Sequence, residues 1–294
     1  MDIKYSEIFT SFQGEAGFAG MPTIWVRFFG CNLECNGFGQ KNPMDESTYV
    51  LPYKTIDISK YKTLEELPVF EHGCDSSYSW SKRFDSLVHK KSVRELVDKL
   101  IALGEANLGL KADNKNGFWR HPVTNQKVQL CFTGGEPMLW QKQMKAICDE
   151  FKERDMSPLQ ITIETNGTKP FKDFHSMSTT ADLYLSVSPK LFSVSGERNA
   201  VNVKLLEDYF EEASGWLKFV VNGTDACWEE LDMYMKQIIP IIPSDWHIWV
   251  MPVGATKEQQ EGSTIAKISN EAMKRGYMVA TRNHTYVFGN VIGS

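Results

Sequence analysis

The stretch Thr23-Ile24-Trp25-Val26-Arg27-Phe28-Phe29-Gly30-Cys31 sets the reading of the chain. Its first seven residues are a β-rich run, and Gly30 ends it. Cys31 follows directly, so the strand delivers a thiol to a loop. Working outward, strand-like runs recur at 127–132, 159–164, 182–187, 216–221, 246–251 and 277–281, with helical patterns at 138–154, 226–239 and 257–275. A capping box, Ser92-Val93-Arg94-Glu95, opens another helix, whose apolar spacing through Leu96, Val97, Leu100 and Ile101 predicts an end near Gly104. This alternation predicts βα units around a parallel sheet, closed or partly closed.

The chemically unusual residues fall just after the runs. Cys31 follows the first, Thr133-Gly134-Gly135-Glu136-Pro137 the second, Thr165-Asn166-Gly167 the third and Ser188-Pro189-Lys190 the fourth. Asn222-Gly223 and Pro252-Val253-Gly254 follow the next two. In a barrel they share the carboxyl-terminal rim, where barrel enzymes keep their chemistry.

A chain of 294 residues at 42% hydrophobic suits one core, so a single domain over 1–294 is expected. Two irregular segments interrupt it: 36–73, with Pro43, Pro52 and Pro68, and 104–126, rich in Gly, Asn and Lys. The net charge of -5 and the lack of a Lys/Arg run argue against direct nucleic-acid binding. The opening residues lack a secretory apolar stretch and no run reaches membrane-spanning length, so a cytoplasmic protein without a membrane partner is expected. In that compartment the six cysteines should be ligands, catalytic thiols or buried apolar residues. Cys131, Cys148 and Cys227 lie in strand or helix patterns and read as buried thiols.

Cys31-Asn32-Leu33-Glu34-Cys35 places two thiols on one loop. By residues alone they are either loop thiols or half of a zinc site completed by His72 and Cys74. The loop also resembles the opening half of the CxxxCxxC loop of radical S-adenosylmethionine (SAM) enzymes, and Thr133-Gly134-Gly135-Glu136 resembles their Gly-Gly-Glu motif. Phe38 stands where the third cysteine is expected. The stretch Cys74-Asp75-Ser76-Ser77-Tyr78-Ser79-Trp80 resembles the Cys-Asp-Thr-x-Tyr-x-Trp of the 7-carboxy-7-deazaguanine synthases, and Phe12-Gln13-Gly14-Glu15 their Leu-Gln-Gly-Glu. With Ser188-Pro189-Lys190, Glu164-Thr165-Asn166-Gly167 and His284, the resemblance covers most of the chain outside the two irregular segments.

The resemblance implies an α/β fold, an incomplete TIM-like βα barrel of the radical SAM type. It implies a 4Fe-4S cluster on Cys31, Cys35 and Cys74, with one iron left for SAM, and a magnesium ion at Ser76. SAM would be held by Gly73, Asp75, Gly134, Gly135, Glu136, Ser188, Pro189, Lys190 and the stretch Met251-Pro252-Val253-Gly254, with Phe38 as candidate for packing on the adenine. Substrate would meet Phe12, Gln13, Gly14, Glu15, Arg27, Thr133 and His284, Arg27 pairing with a carboxylate. The implied reaction converts 6-carboxy-5,6,7,8-tetrahydropterin to 7-carboxy-7-deazaguanine with loss of ammonia, in a homodimer served by an electron donor such as flavodoxin or ferredoxin. Two alternatives remain open: an activase acting on a glycine of a partner enzyme, and a zinc-stabilised module without catalysis.

Overall fold

The computed structural model describes residues 1–172 and 181–293. Its strands are β1 (Asp2–Phe12), β2 (Pro22–Phe28), β3 (His89–Ser92), β4 (Gln129–Gly134), β5 (Gln160–Thr165), β6 (Asp182–Val187), β7 (Ser214–Val221), β8 (His247–Pro252) and β9 (Met278–Val279). They form one nine-stranded sheet in the order β3-β1-β2-β4-β5-β6-β7-β8-β9. From β2 through β4 to β9 neighbours run parallel, while β1 pairs antiparallel with both β2 and β3. The sheet is open, ending at β3 and β9. The fold is therefore α/β on a mostly parallel sheet, as the alternation predicts.

The parallel strands are largely buried along their length, as strands of a sheet covered on both faces are. In β4, Gln129 to Thr133 are all buried. The helices Gln141–Glu153 and Asp225–Ile238 lie where periodicity places them. Three expectations need correction. The helix after Ser92 keeps its capping box but runs to Leu108, with Gly109 in the left-handed region at its end. Gly104 lies inside it, because an added Cβ would meet Phe118 Cζ at 2.9 Å and Ile24 Cδ1 at 3.0 Å; packing, not termination, selects that glycine. The pattern over 257–275 yields a helix only from Ser263 to Lys274, behind a separate turn at Glu258–Gln260. The last strand narrows to Met278–Val279. Among the elements outside the sequence reading are β1, β3, the short helix Phe192–Ser195, the last helix Asn283–Phe288 and the helix Val203–Glu212, capped by Asn202, whose side chain accepts from Leu205 N at 3.2 Å.

The segment 36–73 leaves and returns through a narrow neck. Gly73 N donates to Phe38 O at 2.8 Å, and His72 Nδ1 lies 2.9 Å from Gly39 O. Beyond the neck, Tyr53, Leu64, Leu67 and Phe70 form a small core with Tyr78 and Phe84, distinct from the main core. The segment 104–126 behaves differently: Leu110, Phe118 and Trp119 are buried in the main core, and Trp119 Nε1 donates to Met156 O at 2.8 Å. Among the described residues no helix is long and apolar enough to cross a membrane.

Candidate active site

The carboxyl ends of the parallel strands open into one cavity. Of the residues that the resemblance assigns to cluster, magnesium, SAM or substrate, all but Glu136 and Pro189 line it. Glu136 is fully buried beside it, its carboxylate accepting from Met138 N at 2.9 Å, Thr165 Oγ1 at 2.7 Å and Asn166 N at 2.7 Å. It thus locks the turns after β4 and β5 together instead of facing the cavity. Pro189 carries Lys190 toward the cavity without joining its wall, and Lys190 Nζ donates to Ser188 Oγ at 2.9 Å, 5.8 Å from the Phe38 ring centroid.

Cys31, Cys35 and Cys74 all line this cavity. The loop is held on several sides. Cys35 has a left-handed φ of 51°, and Glu197 Oε1 accepts from Cys35 N at 2.6 Å and Glu34 N at 2.7 Å. Gly37 N donates to Ser195 O at 2.8 Å. Gly135 must lack a side chain, since an added Cβ would meet Cys31 Cβ at 2.8 Å and overlap Gly30 O. The neck is what brings in the third sulfur: Phe38 and Gly73 are hydrogen-bonded, so Cys74 enters next to the position that Phe38 occupies in the motif. Burial pushes the Cys31 thiol up to about 12 and the Cys74 thiol to about 11, and raises Cys35 as well, while the Lys190 ammonium opposes the shift at all three. Thiolates here call for a nearby cation.

The donor chemistry fits an iron-sulfur cube. Among the described residues no three His, Cys, Asp or Glu side chains converge as ligands of a single ion would, and a cube takes each thiolate on a different iron. His72, the fourth candidate for a zinc site, bonds Gly39 O at the neck and lies outside the cavity wall. Ser76 precedes the short turn Ser77–Ser79 without capping it through its side chain; its hydroxyl faces Asp75 Oδ1 at 3.3 Å and remains available to a hard cation.

Three charged clusters line the rest. Glu7 and Arg27 sit opposite each other in the β1–β2 register, and Arg27 Nε donates to Glu7 Oε1 at 2.5 Å, as Tyr78 OH does at 3.0 Å. That leaves the guanidinium's two terminal nitrogens without a hydrogen bond among the described residues, the fork that would receive a carboxylate. Glu164 accepts from Gln13 Nε2 at 3.3 Å and from Thr133 Oγ1 at 3.1 Å, fixing both. Glu15 accepts from Lys218 Nζ and from Arg282 Nε at 2.9 Å. Burial would raise the Glu15 carboxyl, but Lys218 and Arg282 outweigh it and hold it far below the carboxylate range. Burial, then Arg282, pushes His284 down to about 4, so its ring is neutral at physiological pH.

Glu7, Glu197, Lys218 and Arg282 were not singled out in the sequence, and Glu164 entered only as part of the Glu164-Thr165-Asn166-Gly167 stretch. Lys218 carried a signal: it is the lone charge inside a largely apolar strand, as Arg27 is. Asn290 to Gly293 also line the cavity, whereas Ser294, and with it the terminal carboxylate, lies outside the described residues.

No protein-family model matches the chain. It is 25% identical to the 7-carboxy-7-deazaguanine synthase of Pyrobaculum aerophilum over 291 residues, covering 99% of this chain and 97% of that protein. It is 28% identical to the enzyme of the same name from Methanospirillum hungatei over 263 residues, 90% of this chain and 78% of that one. It is a relative of the 7-carboxy-7-deazaguanine synthases. The alignment with the Pyrobaculum synthase leaves almost no part of either chain unmatched, so both irregular segments fall within its span. Among solved structures, QueE from Escherichia coli superposes with a TM-score of 0.55 at 18% identity, covering 97% of this chain and 95% of that one, which supports the fold.

Proposed function

We propose that the protein is a radical SAM lyase that converts 6-carboxy-5,6,7,8-tetrahydropterin to 7-carboxy-7-deazaguanine with loss of ammonia, on an incomplete βα barrel. The observation that carries the reading is the convergence of Cys31, Cys35 and Cys74 on a cavity that also holds a free guanidinium fork at Arg27. When bound, the cluster and SAM supply reductive cleavage of the sulfonium and abstraction of a hydrogen atom from the substrate. The chain's own part is to bind, orient and exclude water. Arg27 receives the substrate carboxylate, aimed by Glu7 and Tyr78. Gln13 and Thr133, both fixed by Glu164, present polar edges to the ring, and the ionised Glu15 accepts from its N–H groups. Ser76 would hold magnesium near the same end. Gly134 and Gly135, Ser188 with Lys190, and Met251 to Gly254 would take SAM, the buried Met251 offering backbone and apolar contact.

Homodimer formation and reduction by flavodoxin or ferredoxin are carried over from the resemblance. The test is anaerobic reconstitution followed by turnover with carboxytetrahydropterin. Formation of 7-carboxy-7-deazaguanine supports the reading. Formation of 5'-deoxyadenosine alone would keep the chemistry and remove the substrate, and a colourless protein holding zinc would remove both.

A further inference from the structure

Arg282 joins more of the cavity wall than any residue the family resemblance points to. It follows β9, and its side chain is 12% exposed. Its Nε donates to Glu15 Oε1 at 2.9 Å, Nη1 to Gly254 O at 2.8 Å, and Nη2 to Asp75 Oδ2 at 2.7 Å. Nη2 also lies 3.3 Å from His284 Nε2. These partners come from four places: the loop after β1, the loop after β8, the residue following the third cysteine, and the last helix, Asn283–Phe288. A guanidinium has donors only, so His284 Nε2 must accept and the ring proton sits on Nδ1. That nitrogen faces Gly14, where an added Cβ would overlap it.

Resting on the lyase reading above, we propose that Arg282 is a positioning residue: its fork locks the substrate-binding wall (Glu15 and His284) to the cluster-side loop at Asp75 and fixes the His284 tautomer. The reasoning is geometric. Asp75 directly follows Cys74 and precedes Ser76, so a fixed Asp75 sets the third sulfur and the hydroxyl together. Glu15 and His284 set the other end of the substrate. Hydrogen-atom transfer needs the two ends in register, because small misplacements of a reacting centre lower rate far more than they lower binding. Only a planar fork with several fixed donors spans all four acceptors; a lysine ammonium at the same place reaches one or two of them.

The experiment uses the reconstituted full-length protein with Arg282→Gln and Arg282→Lys. The first reading is the number of 5'-deoxyadenosine molecules formed per product molecule. The second is the affinity for 6-carboxypterin, an unreactive aromatic analogue followed by its own fluorescence, without turnover. Loss of two or three bonds between charged groups predicts about 10- to 100-fold weaker analogue binding in Arg282→Gln. The ratio of 5'-deoxyadenosine to product should rise several-fold with iron content at the wild-type value, on top of the lower melting temperature that unpairing Glu15 and Asp75 brings. Arg282→Lys should fall between the two. A residue with a merely structural role would lower iron content or melting temperature and leave the ratio alone. The proposal is overturned if the ratio and analogue affinity of both variants match wild type. It is equally overturned if even Arg282→Lys fails to hold iron. If the wild type makes no deazaguanine product, the lyase reading fails instead, which the wild-type control reports separately.

Discussion

Replacing Glu197 by alanine should strip the protein of iron while leaving its fold intact. The carboxylate is the only group that accepts from Cys35 N among the described residues, at 2.6 Å, and it also takes Glu34 N at 2.7 Å. Cys35 is buried, so its amide has no water to turn to, whereas Glu34 is exposed and replaces its bond with solvent. A bond from a buried amide to a charged acceptor contributes about 1.5 to 3 kcal/mol. The left-handed backbone at Cys35 stores a further cost on the order of 1 kcal/mol that this anchor helps to offset. Once the anchor goes, the loop relaxes and the second sulfur leaves its place. The sum, about 2.5 to 4 kcal/mol, corresponds to about a 100- to 1,000-fold weaker hold on the cluster. The assay is iron and sulfide per chain after anaerobic reconstitution, together with the rate of iron loss to a chelator, against far-UV dichroism and melting temperature as controls. Glu197→Gln keeps one acceptor oxygen and should lie between. If Glu197→Ala retains iron as long as wild type does, the carboxylate does not anchor the loop and the reasoning fails.

Cys74→Ala should abolish absorbance near 400 nm, about where thiolate-to-iron charge transfer falls, with the small core of Tyr53, Leu64, Leu67 and Phe70 still folded. Gly14→Ala should displace His284, whose Nδ1 occupies the place of the new Cβ, and raise KM for the pterin more than it lowers melting temperature. His284 titrates at about 4 in the folded chain against an ordinary 6.5, so the unfolded chain binds the proton first as pH falls. Stability should therefore drop between about pH 6.5 and 4 through this group, and His284→Gln should flatten that part of the melting curve. Glu15 works in the carboxylate sense: its depressed pKa stabilises the fold above the ordinary carboxylate range, and that contribution is lost as pH falls. Lys218→Met should cost stability at pH 7, with the difference from wild type shrinking as the solution is acidified; a pH-independent difference would contradict the pairing.

Much of this site could be read from local sequence, and the division follows from what sets each feature. The strand ends, Cys31 after β2 and Gly134-Gly135 after β4, are local: a buried run stops, and the odd residue follows. The third sulfur was found by motif although the segment before it reads as irregular. The end of the helix at Leu108 was not legible, because Gly104 answers to Phe118 and Ile24, which are distant in sequence. β1 escaped notice because its partner residues mix polar and apolar along one strand, Ser6 and Glu7 both being buried. Glu197 and Arg282 were hidden for the same kind of reason: each acts on a loop more than a hundred residues away, and nothing near them in sequence marks the role. Glu136 shows the converse, a motif residue whose carboxylate turned out to be tied into the turns behind the cavity.

The neck at Phe38 and Gly73 separates two quantities that a motif pattern treats as one. Chain can be added beyond such a pinch without altering where Cys74 lands, provided that the contacts of Tyr53 and Phe70 with the loops behind the cysteines are kept. The interval between the cysteines is then free to drift while their meeting point is not. Detection schemes that count intervening residues will pass over proteins built this way, and inserting a foreign peptide at the exposed turn Glu46–Thr48, away from Pro68, Val69 and Glu71 at the cavity, becomes a practical route to a tagged protein.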